Sequence, residues 1–158
     1  MDNHTYTTTT EAKTQVFLGE YLHTLDSKGR IALPTKFRSQ LGEEAVVTRG
    51  LDGCLFLYPT KEWHVLADRL AKLPLAQATT RAFVRLMLAG AMAVTIDRQG
   101  RMMVPDYLRR YANLKRKVVL TGLFNRLELW DAEAWEAYRH STEQESGAIA
   151  EAMANLGV

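Results

Sequence analysis

Two short segments of the chain place an aspartate and an arginine at the same spacing, with a glycine between them. They are Leu25-Asp26-Ser27-Lys28-Gly29-Arg30-Ile31-Ala32-Leu33-Pro34 and Ile96-Asp97-Arg98-Gln99-Gly100-Arg101-Met102-Met103-Val104-Pro105. A carboxylate can accept backbone hydrogen bonds or serve as an acid or base, and a guanidinium binds oxyanions through two parallel hydrogen bonds. Because Asp, Gly, Arg and Pro all recur at the same offsets, the chain contains a duplicated unit.

The duplication continues beyond these segments. Residues 46–51 match residues 118–123 after a one-residue shift of register, and residues 55–58 match residues 127–130. A tryptophan then follows in each copy, Trp63 in the first and Trp135 in the second. Since there are only two copies, the pattern favours two pseudo-symmetric halves of one small fold over a long solenoid.

The centre of each segment predicts a tight turn between two strands. Asp26 can accept hydrogen bonds from the backbone just after it, and Gly29 can adopt a positive φ without a Cβ clash. Arg30 then emerges at the start of the returning strand. The second copy predicts the same arrangement for Asp97, Gly100 and Arg101.

Periodicity predicts the remaining elements of each copy. The predicted strands cover residues 21–25, 45–48 and 55–58 in the first copy and 91–96, 117–121 and 127–130 in the second. Pro34 and Pro105 suit the first turn of short helices over residues 35–41 and 106–111. Longer helices are predicted over residues 61–73, 77–88, 132–140 and 143–156. Their expected core residues are Trp63, Leu66, Leu70, Leu73, Phe83, Val84, Met87, Trp135, Tyr138, Ile149, Met153 and Leu156.

Composition limits the class of protein. A chain of 158 residues with 47% hydrophobic residues can bury one shared core. The single cysteine, Cys54, excludes an internal disulfide and favours the reducing cytoplasm. The apolar run over residues 86–94 is shorter than the roughly 18 residues that a membrane-spanning helix needs, so no membrane association is expected.

Charge is unevenly distributed although the net charge is only +2. Seven basic residues lie between positions 98 and 117 against one acid, Asp106. From residue 118 onward the balance reverses, and acidic residues outnumber Arg126 and Arg139. This asymmetry suggests a polyanion partner for one face, although an ordinary solvated charged surface would give the same pattern.

The sequence offers no recognisable catalytic site. Cys54 lies in an apolar stretch, and His4, His23, His64 and His140 are scattered without metal-ligand spacing. No phosphate-binding glycine loop is present. The paired aspartates could suggest catalytic carboxylates, but each lacks the Thr-Gly or Ser-Gly that follows the aspartate of an aspartic protease. We therefore expect no catalytic residues, no metal site and no cofactor.

The string Phe17-Leu18-Gly19-Glu20-Tyr21, the paired Asp-x-x-x-Arg motifs and the Trp-bearing helices resemble the MraZ family of bacterial transcriptional regulators. The resemblance covers residues 16–140. It implies an α+β fold in which two pseudo-symmetric AbrB-like (SpoVT-AbrB, swapped-hairpin) halves interlock into one compact β-rich barrel with flanking helices. It also implies that several chains join head to tail as a closed ring. Family members start near the Phe-Leu-Gly segment, so the Thr-rich front end is an addition.

The resemblance, combined with the elements above, gives a domain division. We expect a flexible tail over residues 1–15 and a first AbrB-like repeat over 16–60. Linker helices over 61–88 then lead to a second repeat over 89–131, and a helical segment over 132–158 ends the chain.

The resemblance also implies which residues contact DNA. Arg30 and Arg101 are expected to bind phosphates or guanine edges. Asp26 and Asp97, with Gly29 and Gly100, are expected to shape the turns and orient these arginines. Further phosphate contacts are expected from Lys28, Arg98, Lys36, Arg38, Arg109 and Arg110, for each of which a role in surface solubility is the alternative.

The function implied is sequence-specific regulation of transcription by a cytoplasmic, nucleoid-associated protein. A ring would present many copies of the basic turn to repeated short DNA boxes, so that weak contacts add up. The resemblance implies repression of the cell-division and cell-wall gene cluster, including the protein's own promoter. The alternative is an antitoxin-type protein-interaction module, in which the acidic C-terminal helices hold a protein partner.

Overall fold

The computed structural model describes residues 16–158, and the predicted tail over residues 1–15 lies outside them. The first copy of the repeat forms four strands and one short helix. In chain order these are β1 (Phe17–Thr24), β2 (Arg30–Ala32), α1 (Thr35–Leu41), β3 (Glu44–Arg49) and β4 (Leu55–Pro59). Pro34 precedes α1, as predicted from the fixed φ of proline.

Two helices connect the copies, and the second copy repeats the order of the first. The connection consists of α2 (Thr60–Ala71) and α3 (Ala78–Val84), which continues as a π-helical segment over Arg85–Ala89. The second copy contains β5 (Met92–Thr95), β6 (Arg101–Met103), α4 (Asp106–Tyr111), β7 (Lys117–Phe124) and β8 (Leu127–Asp131). The chain then forms α5 (Ala132–Gln144), α6 (Ser146–Met153) and a 3-10 turn over Ala154–Leu156.

Strands of one half pair with strands of the other. Six antiparallel strands form one sheet in the order β1-β7-β8-β4-β3-β5, and β2 pairs with β6 in a separate two-stranded ladder. The pairs β1–β7, β3–β5, β4–β8 and β2–β6 each join one copy to the other. Neither copy can therefore bury its own apolar faces alone, and the halves form one interlocked fold.

The prediction of a β-rich barrel is wrong, because the strands do not close into one. Strands β1 and β5 are the two edges of the six-stranded sheet, and β2 and β6 connect to their hairpin partners only through the single bridges Leu25–Ile31 and Ile96–Met102. Strands β2 and β6 are too short to join the two edge strands into a closed barrel. Each has three residues, and a proline follows two positions after its end. Proline has no backbone N–H to continue a ladder.

The six-stranded sheet separates two apolar cores. Along β4, Leu55 and Leu57 face one side and Phe56 and Tyr58 face the other, as the two-residue period of a strand requires. The first core also holds buried side chains of the β2–β6 ladder, α1 and α4: Ile31, Met102, Phe37 and Leu108. The second holds Leu70 of α2, Met87 and Trp130. The turns and the Trp-bearing helices therefore lie on opposite sides of the sheet.

Several residues expected in the core of the helical side are exposed. The expectation fails for Leu73, Phe83, Tyr138, Ile149, Met153 and Leu156, whose exposed fractions are 38%, 38%, 43%, 40%, 37% and 71%. The helix α6 packs mainly against α5 and not against the sheet, so little of its apolar stripe is covered. Helical periodicity indicates an apolar face but does not say what covers it.

Candidate functional site

Each Asp-x-x-x-Arg segment folds into the same tight turn. The Asp26 Oδ1 atom accepts hydrogen bonds from the backbone N–H groups of Lys28 and Arg30, both at 2.9 Å. The Gly29 N–H donates to the Asp26 carbonyl at 3.0 Å, and Gly29 has a φ of +79°. In the second turn, Asp97 Oδ1 accepts from the N–H groups of Gln99 and Arg101 at 2.9 Å. The aspartate and the glycine thus shape the backbone reversal in both copies.

The same aspartates hold the arginine side chains. The Arg30 Nε–H donates to Asp26 Oδ2 at 2.7 Å, and the Arg101 Nε–H donates to Asp97 Oδ2 at 3.1 Å. Within residues 16–158, the terminal Nη groups of these two arginines make no hydrogen bond. Each guanidinium is therefore held at one edge and keeps its outer donors available to a ligand.

The β2–β6 ladder brings the two arginines onto one surface. Arg30 pairs with Met103, and Ala32 pairs with Arg101. The intervening Ile31 and Met102 are 0% and 1% exposed because they point into the first core. By strand alternation, the outward side chains are Arg30, Ala32, Arg101 and Met103. We refer to these four residues as the arginine face.

Hydrogen bonding holds both turn aspartates in the ionised form. Backbone and side-chain hydrogen bonds from Arg30 lower the pKa of Asp26 to about 2. The equivalent bonds from Arg101 lower the pKa of Asp97. Both carboxylates are therefore ionised at neutral pH and act in the turns as hydrogen-bond acceptors.

We expect these aspartates to contribute to acid sensitivity. Because the folded-state pKa of Asp26 lies below its unfolded value of about 3.9, its stabilising effect is present above that value and is lost as the pH falls toward about 2. The double variant Asp26→Asn/Asp97→Asn keeps an acceptor oxygen but cannot titrate. Its free energy of unfolding, measured with denaturant at a series of pH values, should fall less steeply than that of the parent over this interval. Equal slopes for the two proteins would contradict the assignment.

Next to the arginine face lies an open groove of about 900 Å³ that is rich in cations. We call it the basic groove. Its two acids are Asp26 and Asp106, and Asp106 is paired with Arg110 at 3.1 Å. Its six cations are Arg30, Arg101, Arg109, Arg110, Lys115 and Arg116. Positive charge therefore exceeds negative charge around the groove, as binding of a polyanion would require.

The other sequence-predicted cations lie elsewhere. Arg38 and Arg98 line a smaller groove of about 500 Å³ beside the Asp97 turn. Lys28 is exposed within the first turn. The Lys36 ammonium donates to the Tyr21 hydroxyl at 2.9 Å and lies 5.5 Å from the centre of that ring, so it already has partners in the fold.

Arg38 and Arg109 cross from one half to the turn of the other. A Cβ at Gly29 would lie 2.5 Å from Arg109 Cζ, and a Cβ at Gly100 would overlap the Arg38 guanidinium. Arg38 Nε also donates to the Leu33 carbonyl at 2.9 Å. The glycines thus serve two needs, a positive φ and close packing of an arginine, of which the sequence indicated only the first.

Sequence reasoning did not assign Lys115 and Arg116 to the site. They lie on the segment between α4 and β7, which passes beside the first turn, and the Leu25 N–H donates to the Arg116 carbonyl at 2.7 Å. The only sequence feature that points to these two residues is the run of three basic residues at positions 115–117. Its place beside the first turn depends on the pairing of β1 with β7, which joins residues distant in the chain.

Cys54, the single cysteine of the chain, lies buried in the second core. Cys54 is 0% exposed, its thiol donates to the Leu51 carbonyl at 3.2 Å, and burial raises the pKa of that thiol. No group of three or more His, Cys, Asp or Glu residues among positions 16–158 is arranged to hold a metal ion. None of the helices there has the length and apolarity to span a bilayer.

Comparison with known proteins gives a consistent family. A family model described as "MraZ protein, putative antitoxin-like" matches residues 16–86 and again residues 87–156, which confirms the internal duplication. The transcriptional regulator MraZ of Halothermothrix orenii is 49% identical over 143 residues, covering 90% of this chain and 100% of that protein. The namesake from Clostridium acetobutylicum is 46% identical with the same coverage. That of Ligilactobacillus salivarius is 49% identical over 138 residues, covering 87% of this chain and 96% of that protein.

Proposed function

Because the chain belongs to the MraZ family, we propose that it is a transcription regulator that binds double-stranded DNA through the arginine face and the basic groove. The observation that carries the proposal is the pair of guanidiniums on one short ladder, each held at Nε by its own aspartate. Such an arginine is preorganised to offer its outer donors to a phosphate or a guanine edge.

The chemistry of the surrounding surface supports this proposal. DNA binding requires cations that follow the phosphate backbone, because phosphate contacts supply most of the affinity. Arg109, Arg110, Lys115 and Arg116 extend the positive surface away from the ladder along the groove. Arg30 and Arg101 are then suited to read bases, and the flanking cations are suited to hold the backbone.

The finer features of the proposal concern assembly and regulation. We propose that the halves are AbrB-like swapped hairpins, an idea supported by the four strand pairs that join them. We further propose a head-to-tail ring, since unlike surfaces of one chain can meet repeatedly until the rotation closes. Such a ring would bind repeated DNA boxes, repress the cell-division and cell-wall cluster with its own promoter, and act in the cytoplasm on the nucleoid without catalysing a reaction.

A footprint on the DNA upstream of the protein's own gene tests the proposal. We expect protection of short repeated boxes, together with an affinity that falls steeply as salt rises because bound cations release counterions from DNA. The logarithm of the binding constant should fall with a slope of about −0.9 per phosphate contacted. Uniform, salt-insensitive binding, or none, would contradict the proposal.

A protein-binding function is the second candidate, and the exposed C-terminal helices favour it. Tyr138, Ile149 and Met153 leave an apolar surface on α5 and α6 that the described chain does not cover. Pull-down of the full chain with and without nuclease separates the two candidates. A partner that survives nuclease treatment supports protein binding, whereas loss of all partners supports DNA binding.

A further inference from the structure

The two halves present opposite charges at equivalent positions. The Leu25 N–H donates to the Arg116 carbonyl at 2.7 Å, and the corresponding Ile96 N–H donates to the Glu43 carbonyl at 2.8 Å. Strand register extends the equivalence by one residue, because Thr24 pairs with Lys117 and Thr95 pairs with Glu44. Arg116 and Lys117 in one half therefore correspond to Glu43 and Glu44 in the other.

This reversal makes the surfaces beside the two turns electrostatically different. The basic groove beside the Asp26 turn has six cations and two acids, and one of those acids is already paired with Arg30. The smaller groove beside the Asp97 turn has two cations, Arg38 and Arg98, balanced by Glu43 and Asp97. The first groove therefore has a net positive charge that attracts a phosphate, whereas the charges around the second groove cancel.

Arg116 is well placed to use that charge. Its side chain is exposed, and within residues 16–158 it makes no ion pair. The neighbouring Lys115 forms ion pairs with Asp131 and Glu133, whose carboxylate oxygens lie 3.7 and 3.6 Å from its Nζ. The free guanidinium at position 116 is thus the stronger phosphate ligand of the two.

Building on the proposed function, we infer that each chain binds DNA asymmetrically: the Arg116 side takes a backbone phosphate beyond the arginine face, and the equivalent Glu43 side repels one. The two turns are then pseudo-symmetric, but the contacts with DNA phosphates beside them are not. The DNA backbone is therefore bound on the Arg116 side of each site and left uncontacted on the Glu43 side. This polarity gives a chain with two similar halves a defined orientation on DNA.

Opposite charge changes at the two positions test the inference. Both residues use only their backbone carbonyls in the fold described here, so substitution leaves those hydrogen bonds in place. With duplex DNA from the protein's own promoter region, Arg116→Glu should weaken binding about tenfold, and Glu43→Arg should strengthen it about threefold or more. The slope of the logarithm of affinity against the logarithm of salt concentration should become shallower by about 1 in the first variant and steeper by about 1 in the second.

A remote charge change of the same kind provides the control. Arg69 is exposed on α2, on the helical side of the sheet, and Arg69→Glu should change affinity less than about twofold because salt screens charges beyond about 8 Å. If Arg116→Glu is no weaker than Arg69→Glu, or if Glu43→Arg fails to bind more tightly, the asymmetry is overturned while parent binding upholds the proposed function. A parent that binds no DNA overturns both.

Discussion

Replacing Arg30 or Arg101 with alanine is expected to lower affinity for promoter DNA roughly 10- to 100-fold, the range for loss of a bidentate base contact. The loss is larger than removal of one charge would cause. Without its arginine, Asp26 or Asp97 keeps an ionised carboxylate on the surface proposed to contact DNA. In the proposed ring the substitution would be present in every subunit, so the loss would be multiplied along repeated boxes.

The fold should tolerate these substitutions. The Arg30–Asp26 and Arg101–Asp97 pairs are partly exposed, and ion pairs that reach solvent contribute little to stability. We therefore expect the melting temperature of each variant to stay within about 4 °C of the parent. Fluorescence anisotropy with labelled promoter DNA measures the affinity, and calorimetry measures the stability.

The exposed Arg69 of α2 provides a matched control for this experiment. Arg69→Ala also removes one guanidinium group, but from the side of the sheet opposite the arginine face. It should leave DNA affinity within about twofold of the parent, because exposed charges beyond a Debye length are screened. Arg30→Ala and Arg101→Ala variants that bind as well as Arg69→Ala would show that the arginine face is not the contact surface.

Replacing Gly100 with alanine is expected to damage both stability and DNA binding. Gly100 has a φ of +74°, which costs a residue with a Cβ about 1–3 kcal/mol. The added Cβ would also overlap the Arg38 guanidinium and displace it from the Leu33 carbonyl. Since Gly100 lies directly before Arg101, the strain should also move the Asp97–Arg101 pair, and affinity should fall at least about tenfold.

Gly53, in the turn between β3 and β4, separates the two causes of damage. It has a similar φ of +84°, but a Cβ there would meet no atom within 4 Å. Gly53→Ala therefore tests backbone strain alone, and Gly100→Ala tests strain plus arginine packing. Denaturant unfolding should show a larger loss for Gly100→Ala, and only that variant should lose DNA affinity. Equal losses of stability with intact DNA binding in both would contradict the role assigned to Arg38.

Local patterns in the sequence were sufficient for most elements. The predicted bounds of α1 and α4 agree with the structure, because proline fixes the start of each helix. Strands β3, β4, β7 and β8 also appear close to the predicted positions. Strand β1 begins at Phe17 instead of residue 21, since its first residues pair with Leu123 and Phe124 at the far end of β7.

The sequence could not show how the two halves combine. A strand's periodicity does not name its partner, so the pairing of β1 with β7 and of β3 with β5 was not predictable from local pattern. The barrel expectation came from family resemblance, and the short β2 and β6 strands overturn it. The same cross-half pairing places Arg116 beside the first turn and Glu43 beside the second, which creates the charge asymmetry.

A structure of the protein bound to DNA from its own promoter tests the central claim most directly. We expect the guanidiniums of Arg30 and Arg101 to lie about 3 Å from phosphate oxygens or guanine edges. Arg116 should contact the backbone alongside them. DNA bound instead against α2, α5 or α6, with both turn arginines facing solvent, would contradict the claim.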